Sequence, residues 1–75
     1  MDIYIAICKD VHIDDDIKVF TDSEKAIQYC KNFVPKRCAL EEQELTDSMI
    51  YDNWIYYATY NEENSVRVEK SKLIE

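Results

Sequence analysis

Two-residue alternation of apolar side chains dominates this chain and sets what it can fold into. Residues 3–9 read Ile-Tyr-Ile-Ala-Ile-Cys-Lys, so Ile3, Ile5 and Ile7 alternate with Tyr4, Ala6 and Cys8. That period sends successive side chains to opposite faces of a strand. It returns in Ile17-Lys18-Val19-Phe20, in the aromatic run Trp54 to Tyr60, and in Val66-Arg67-Val68-Glu69. One segment carries a helical period instead: Ala26, Ile27, Cys30, Phe33 and Val34 share a face, with Lys25, Gln28, Lys31 and Asn32 on the other. Thr21-Asp22-Ser23-Glu24 has the form of a capping box with Thr21 as the cap, and Pro35 ends the helix by removing a donor and restricting the residue before it.

The connections follow from the same pattern. The acidic stretch Asp10 to Asp16 links the first two strands as a hairpin. Residues 38–45, Cys38 to Leu45, fit either a strand or a helix imperfectly, and we read them as a strand. Thr46-Asp47-Ser48 and Asn61 to Asn64 are turns, and the last strand runs on toward Lys72-Leu73-Ile74. The expected fold is α+β, an antiparallel sheet of four to five strands with one helix packed on one face, in ββαβββ order. Its 75 residues form a single domain, residues 1–75, with a small core. Such a domain buries roughly 60% of its unfolded surface and draws about 3–5 kcal/mol from that core.

Charge and composition narrow the function. Sixteen acidic residues against nine basic ones give a net charge of −7, which repels phosphate backbones and attracts a partner with a basic surface. Direct nucleic-acid binding is therefore not expected. No apolar run approaches the roughly 18 residues of a membrane span, and Met1-Asp2-Ile3-Tyr4 lacks the basic region of a secretory signal, so a cytoplasmic protein is expected. Cys8, Cys30 and Cys38 are odd in number and form no CxxC pair. They read as buried thiols, not as a disulfide framework or a zinc site.

Catalytic chemistry finds little to work with. His12 is the single histidine and reads as a solvated residue of the hairpin connection. The chain has no glycine, so neither a P-loop nor a dinucleotide-binding turn takes its usual form. Asp10, Asp14, Asp15 and Asp16 lack the glycine and terminal glutamate of a calcium loop, and Glu42 and Glu44 sit on an open strand without a cleft. No enzyme activity, cofactor or metal is expected.

The sheet itself suggests a binding surface. A helix of about 12 residues is roughly 18 Å long and roofs only one face of such a sheet. Ile3, Ile5, Ile7, Ile17, Val19, Ile55, Tyr57, Val66 and Val68 are expected beneath it. The opposite parity holds Tyr4, Ala6, Trp54, Tyr56, Ala58 and Tyr60, and half-wet aromatics serve as interface anchors. Tyr4, Trp54, Tyr56 and Tyr60 are thus the first candidate site, facing a protein, a second copy of the chain in a homodimer, or a planar ring stacked on Trp54 and Tyr56. An acidic rim of Asp14, Asp15, Asp16, Glu41, Glu42 and Glu44 is the second, able to imitate a phosphate array.

The path from IYIAICKD through VFTDSEKAIQYC to an acidic third strand and an aromatic hairpin resembles small uncharacterised proteins of phages and Gram-positive bacteria. The likeness covers about the first 45 residues and rests on VFTDSEKA. It implies an inhibitor of host machinery of the anti-CRISPR kind, acting in the host cytoplasm by binding a protein, and it assigns no residue a role.

Overall fold

The computed structural model describes residues 1–11 and 13–73. Strand β1 (Asp2–Lys9) turns back into β2 (Asp16–Phe20), and helix α1 (Ser23–Phe33) follows. A two-residue strand β3 (Glu41–Glu42), a short helix α2 (Asp47–Tyr51) and the hairpin β4 (Trp54–Tyr60) to β5 (Asn64–Lys72) complete the chain. All pairings are antiparallel, in the order β2-β1-β5-β4-β3. The first and last long strands are therefore central neighbours, in register from Asp2↔Lys72 to Lys9↔Ser65. The α+β class and both expected hairpins are present. No helix among the described residues is long and apolar enough to cross a membrane.

Local differences from the expected elements have local causes. Asp22 caps α1 in place of Thr21: its Oδ1 accepts from the Glu24 N–H at 2.8 Å and from the Lys25 N–H at 3.4 Å. Thr21 lies one residue too early for a helix whose first turn begins at Ser23. Only Glu41 and Glu42 of residues 38–45 are strand. Thr46 does not open a turn but caps α2, its Oγ1 accepting from the Met49 N–H at 3.2 Å, because the residues that favour turns are also those that start helices. Without glycine, the left-handed positions fall to Asn53, Asn61 and Glu62, at φ 67°, 50° and 64°. The expectations for His12 and for Ile74 lie outside the described residues.

The larger correction concerns which face the helix covers. Helix α1 lies across β1, β5 and β2. The core beneath it is Ala6, Cys8, Tyr56, Ala58, Tyr60, Val66 and Val68 from the sheet, with Ala26, Cys30 and Val34 above. Val66 and Val68 are where they were expected, but the register pairs them with Cys8 and Ala6, so Ile3, Ile5 and Ile7 turn to the other side. Ile17 and Val19 turn with them through the pairs Ile7↔Ile17 and Ile5↔Val19. The cause is visible in β5, where Val66 and Val68 alternate with Arg67 and Glu69, so only one parity can be buried cheaply. Both parities of β1 are apolar, and it follows the register that β5 dictates.

A bulge adds a second reversal. Trp54 pairs with Glu69 and Tyr56 with Val68, so two steps on β4 match one on β5 and Ile55 is the extra residue. Trp54 and Tyr56 consequently face opposite sides, while Trp54 and Tyr57 share one. Ile55 itself packs against the core, as expected.

Candidate functional site

The face of the sheet away from α1 is a grid fixed by register. Strand β2 contributes Ile17 and Val19, 58% and 60% exposed. Beside them stand Ile3, Ile5 and Ile7 on β1, then Arg67 and Glu69 on β5 opposite Ile7 and Ile5, then Tyr57 and Trp54 on β4. The other strand residues of this face are half-buried, and α1 packs on the opposite side of the sheet. One half of the face is thus aliphatic and the other aromatic with a cation.

The aromatic half is held in place. The Arg67 guanidinium sits 4.7 Å from the centre of the Trp54 ring, and Arg67 Nε donates to Glu69 Oε2 at 2.9 Å. The Tyr57 ring packs 5.4 Å from the indole at an interplanar angle of 49°. A guanidinium over an indole contributes about 0.5–1 kcal/mol where water has access. Its larger effect is to fix three rotamer-rich side chains before any partner arrives, which lowers the ordering cost of contact. Lys9 and Arg67 balance Glu41 and Glu69 on this face, so the patch is near neutral in a chain of charge −7.

The structure does not bring the first candidate set together. Of Tyr4, Trp54, Tyr56 and Tyr60, only Trp54 lies on the open face. Tyr56 and Tyr60 are 8% and 2% exposed beneath the helix side, and Tyr4 packs half-buried against the same core. Trp54 and Tyr56 therefore cannot sandwich one planar ring, because the bulge puts the sheet between them. A shallow depression of about 460 Å³, lined by Ala39, Glu41, Thr59, Tyr60, Asn61 and Glu62, does not include Trp54.

The buried tyrosines serve the fold instead. Tyr60 Oη donates to Asp10 Oδ2 at 3.0 Å, and Tyr29 Oη donates to Asp16 Oδ2. With the Val11 N–H donating to the buried Asn64 side chain at 2.9 Å, these contacts clamp both ends of the β1–β2 connection. The hydrogen bond to Asp16, aided by burial, pushes the Tyr29 hydroxyl up to about 12. Burial first, then Asp10, raises Tyr60 as well. Tyr56 Oη is buried and makes no hydrogen bond of good geometry among the described residues; burial and, after it, the charge and nearness of the Glu42 carboxylate raise its pKa.

The acidic candidates split into two groups. Asp14 and Asp15 are exposed in the β1–β2 connection, and Asp16 begins β2 with its carboxylate engaged by Tyr29. Glu41 and Glu42 form β3 at the far edge, and Glu44 is exposed just beyond. Four strand spacings of about 4.8 Å, roughly 19 Å, separate the two edges. Glu41 and Glu42 also point to opposite faces, since they pair with Thr59 and Ala58. They do not make one rim.

Two of the three thiols are out of reach. Cys8 and Cys30 are fully buried, and the Cys8 thiol is raised by its hydrogen bond with Cys30 and by burial. Cys38 is half-buried, its Sγ accepting from Asn61 Nδ2 at 3.1 Å. No group of three or more potential metal ligands occurs among the described residues.

Ile3, Ile5, Ile7, Ile17, Val19, Tyr57, Arg67 and Glu69 are the surface residues that the sequence pattern missed. The signal for them was the polar parity of β5, which had to carry its neighbours outward. No family model matches this chain, and neither the curated proteins nor the solved structures contain a match.

Proposed function

We propose that this chain is a non-enzymatic protein-binding module that docks through its open sheet face. One observation carries this: five aliphatic side chains adjoin a Trp54–Tyr57–Arg67 cluster on a face that α1 does not roof. Trp, Tyr and Arg dominate the binding energy of protein interfaces, and aliphatic neighbours keep water from them. The near-neutral charge favours recognition by shape and apolar area over attraction to a basic surface. Inhibition of a host nucleic-acid-handling or defence complex is the particular form that the phage resemblance suggests, and a cytoplasmic site of action accords with it.

The test compares capture of cellular proteins by the wild-type chain and by two variants. Trp54→Ala combined with Val19→Lys should lose any specifically held protein, with binding at least ~30-fold weaker and little sensitivity to salt. Asp14→Asn with Asp15→Asn should retain it. Loss in the second variant alone, steepening with salt, would move the site to the acidic connection and overturn the proposal.

A further inference from the structure

Resting on that docking proposal, we infer that the occupant of the open face is a second copy of this chain, seated sheet on sheet about a two-fold axis. Three observations support this choice of partner.

The first is the quality of the core. Of the ten buried apolar residues among the described ones, Ala6, Ala26, Ala58, Cys8 and Cys30 are small, while Ile3, Ile5, Ile7, Ile17 and Val19 lie outside the core. A single chain leaves Ile17 and Val19 more than half exposed and the three isoleucines of β1 only half-buried, and a second sheet removes them from water. The second is area. Four full strands about 4.8 Å apart and roughly seven residues long at about 3.3 Å each give a platform near 440 Å² in projection. Two such faces together bury about 900 Å² before side-chain relief is counted, which with that relief reaches the range of specific interfaces, above about 1,000 Å².

The third is charge. A dimer of chains with charge −7 each is opposed unless the contact leaves most acidic groups outside and balances the rest, as Lys9 and Arg67 balance Glu41 and Glu69 here. Asp14 and Asp15 lie beyond the β1–β2 end, and Asp22 and Glu24 belong to the start of α1 on the covered side. The contact itself holds Arg67 and Glu69 near its middle, and a two-fold axis sets each such pair against its own reverse. Two sheets of the same twist also pack face to face at about −30° without distortion. A strongly basic partner or a nucleic acid finds no net opposite charge on this face.

Sedimentation equilibrium of the purified chain, followed in parallel by emission of its single tryptophan, tests the inference. At about 100 µM the wild type should sediment at twice the chain mass, and Trp54 emission should shift to shorter wavelength as the concentration rises. Ile17→Asp with Val19→Asp replaces two side chains that are already more than half exposed, so the fold should persist by circular dichroism. That variant should dissociate ~30-fold or more readily, whereas Ile50→Asp, equally exposed on α2, should leave the dimer unchanged. A monomeric wild type at that concentration would overturn the second-copy inference, as would a dimer indifferent to Ile17 and Val19. A monomer whose capture of another protein still depends on Trp54 and Val19 would leave the docking proposal standing and make that protein the occupant.

Discussion

Tyr56 and Tyr60 stand four residues apart on the same face of β4, beneath the helix side, yet their hydroxyls meet different fates. Tyr60 Oη reaches Asp10, whereas Tyr56 Oη is buried and makes no hydrogen bond of good geometry among the described residues. A buried donor left unpaired costs about 1–3 kcal/mol, while a satisfied hydrogen bond contributes about 1 kcal/mol. Tyr56→Phe should therefore leave stability unchanged or raise it by up to about 1 kcal/mol, and Tyr60→Phe should lower it by about 1–2 kcal/mol. Denaturant melts of the two variants check this, and a larger loss for Tyr56→Phe would contradict the assigned contacts. Neither hydroxyl's fate was legible in the sequence, because Asp10 approaches Tyr60 only through the central pairing of β1 with β5. The aromatic run did announce a strand. It did not announce which of its rings would be wet.

At the scale of elements, the helix and both hairpins were legible, since each is specified by residues close in sequence. The α1 face of Ala26, Cys30 and Val34 is buried as its period required, with Ile27 and Phe33 packed beside them. Its start was misplaced by one residue, and that difference is measurable. Asp22→Ala should cost about 1 kcal/mol, the loss of a side-chain cap, while Thr21→Ala should change stability by less than about 0.5 kcal/mol. Equal losses, or a larger one at Thr21, would restore the cap that the S/T-x-x-E pattern suggested. The segment between α1 and β4 was the least legible, because its stability depends on tertiary contact. Its apolar residues Cys38 and Leu40 pack on a core built from distant strands, leaving only Glu41 and Glu42 to join the sheet. The bulge at Ile55 belongs here too. One unpaired residue separates Trp54 from Tyr56 by the thickness of the sheet, and no local composition marks it.

For the whole molecule, function follows from which side of the sheet meets the helix. The idea that one helix roofs only one face holds, and its consequence, an apolar platform left over, was legible in the sequence. The occupants of the platform were not, because β1 is apolar on both parities and its orientation is set by pairing with a strand sixty residues away. Once Val66 and Val68 turn inward, Cys8 and Ala6 must join them, and the isoleucines of β1 become surface. The acidic residues, scattered on opposite edges, then leave that surface near neutral. Distance contacts in solution between side-chain protons test this orientation directly and do not depend on oligomeric state. Nuclear Overhauser spectra should link the Tyr56 and Tyr60 rings and the Ala6 methyl to the buried core that includes Ala26 and Cys30, and link the Ile5 and Ile7 methyls to Val19, Ile17 and Arg67. Contacts from the Ile5 and Ile7 methyls to α1, with the Tyr56 and Tyr60 rings free of it, would reverse the sheet and remove the docking face.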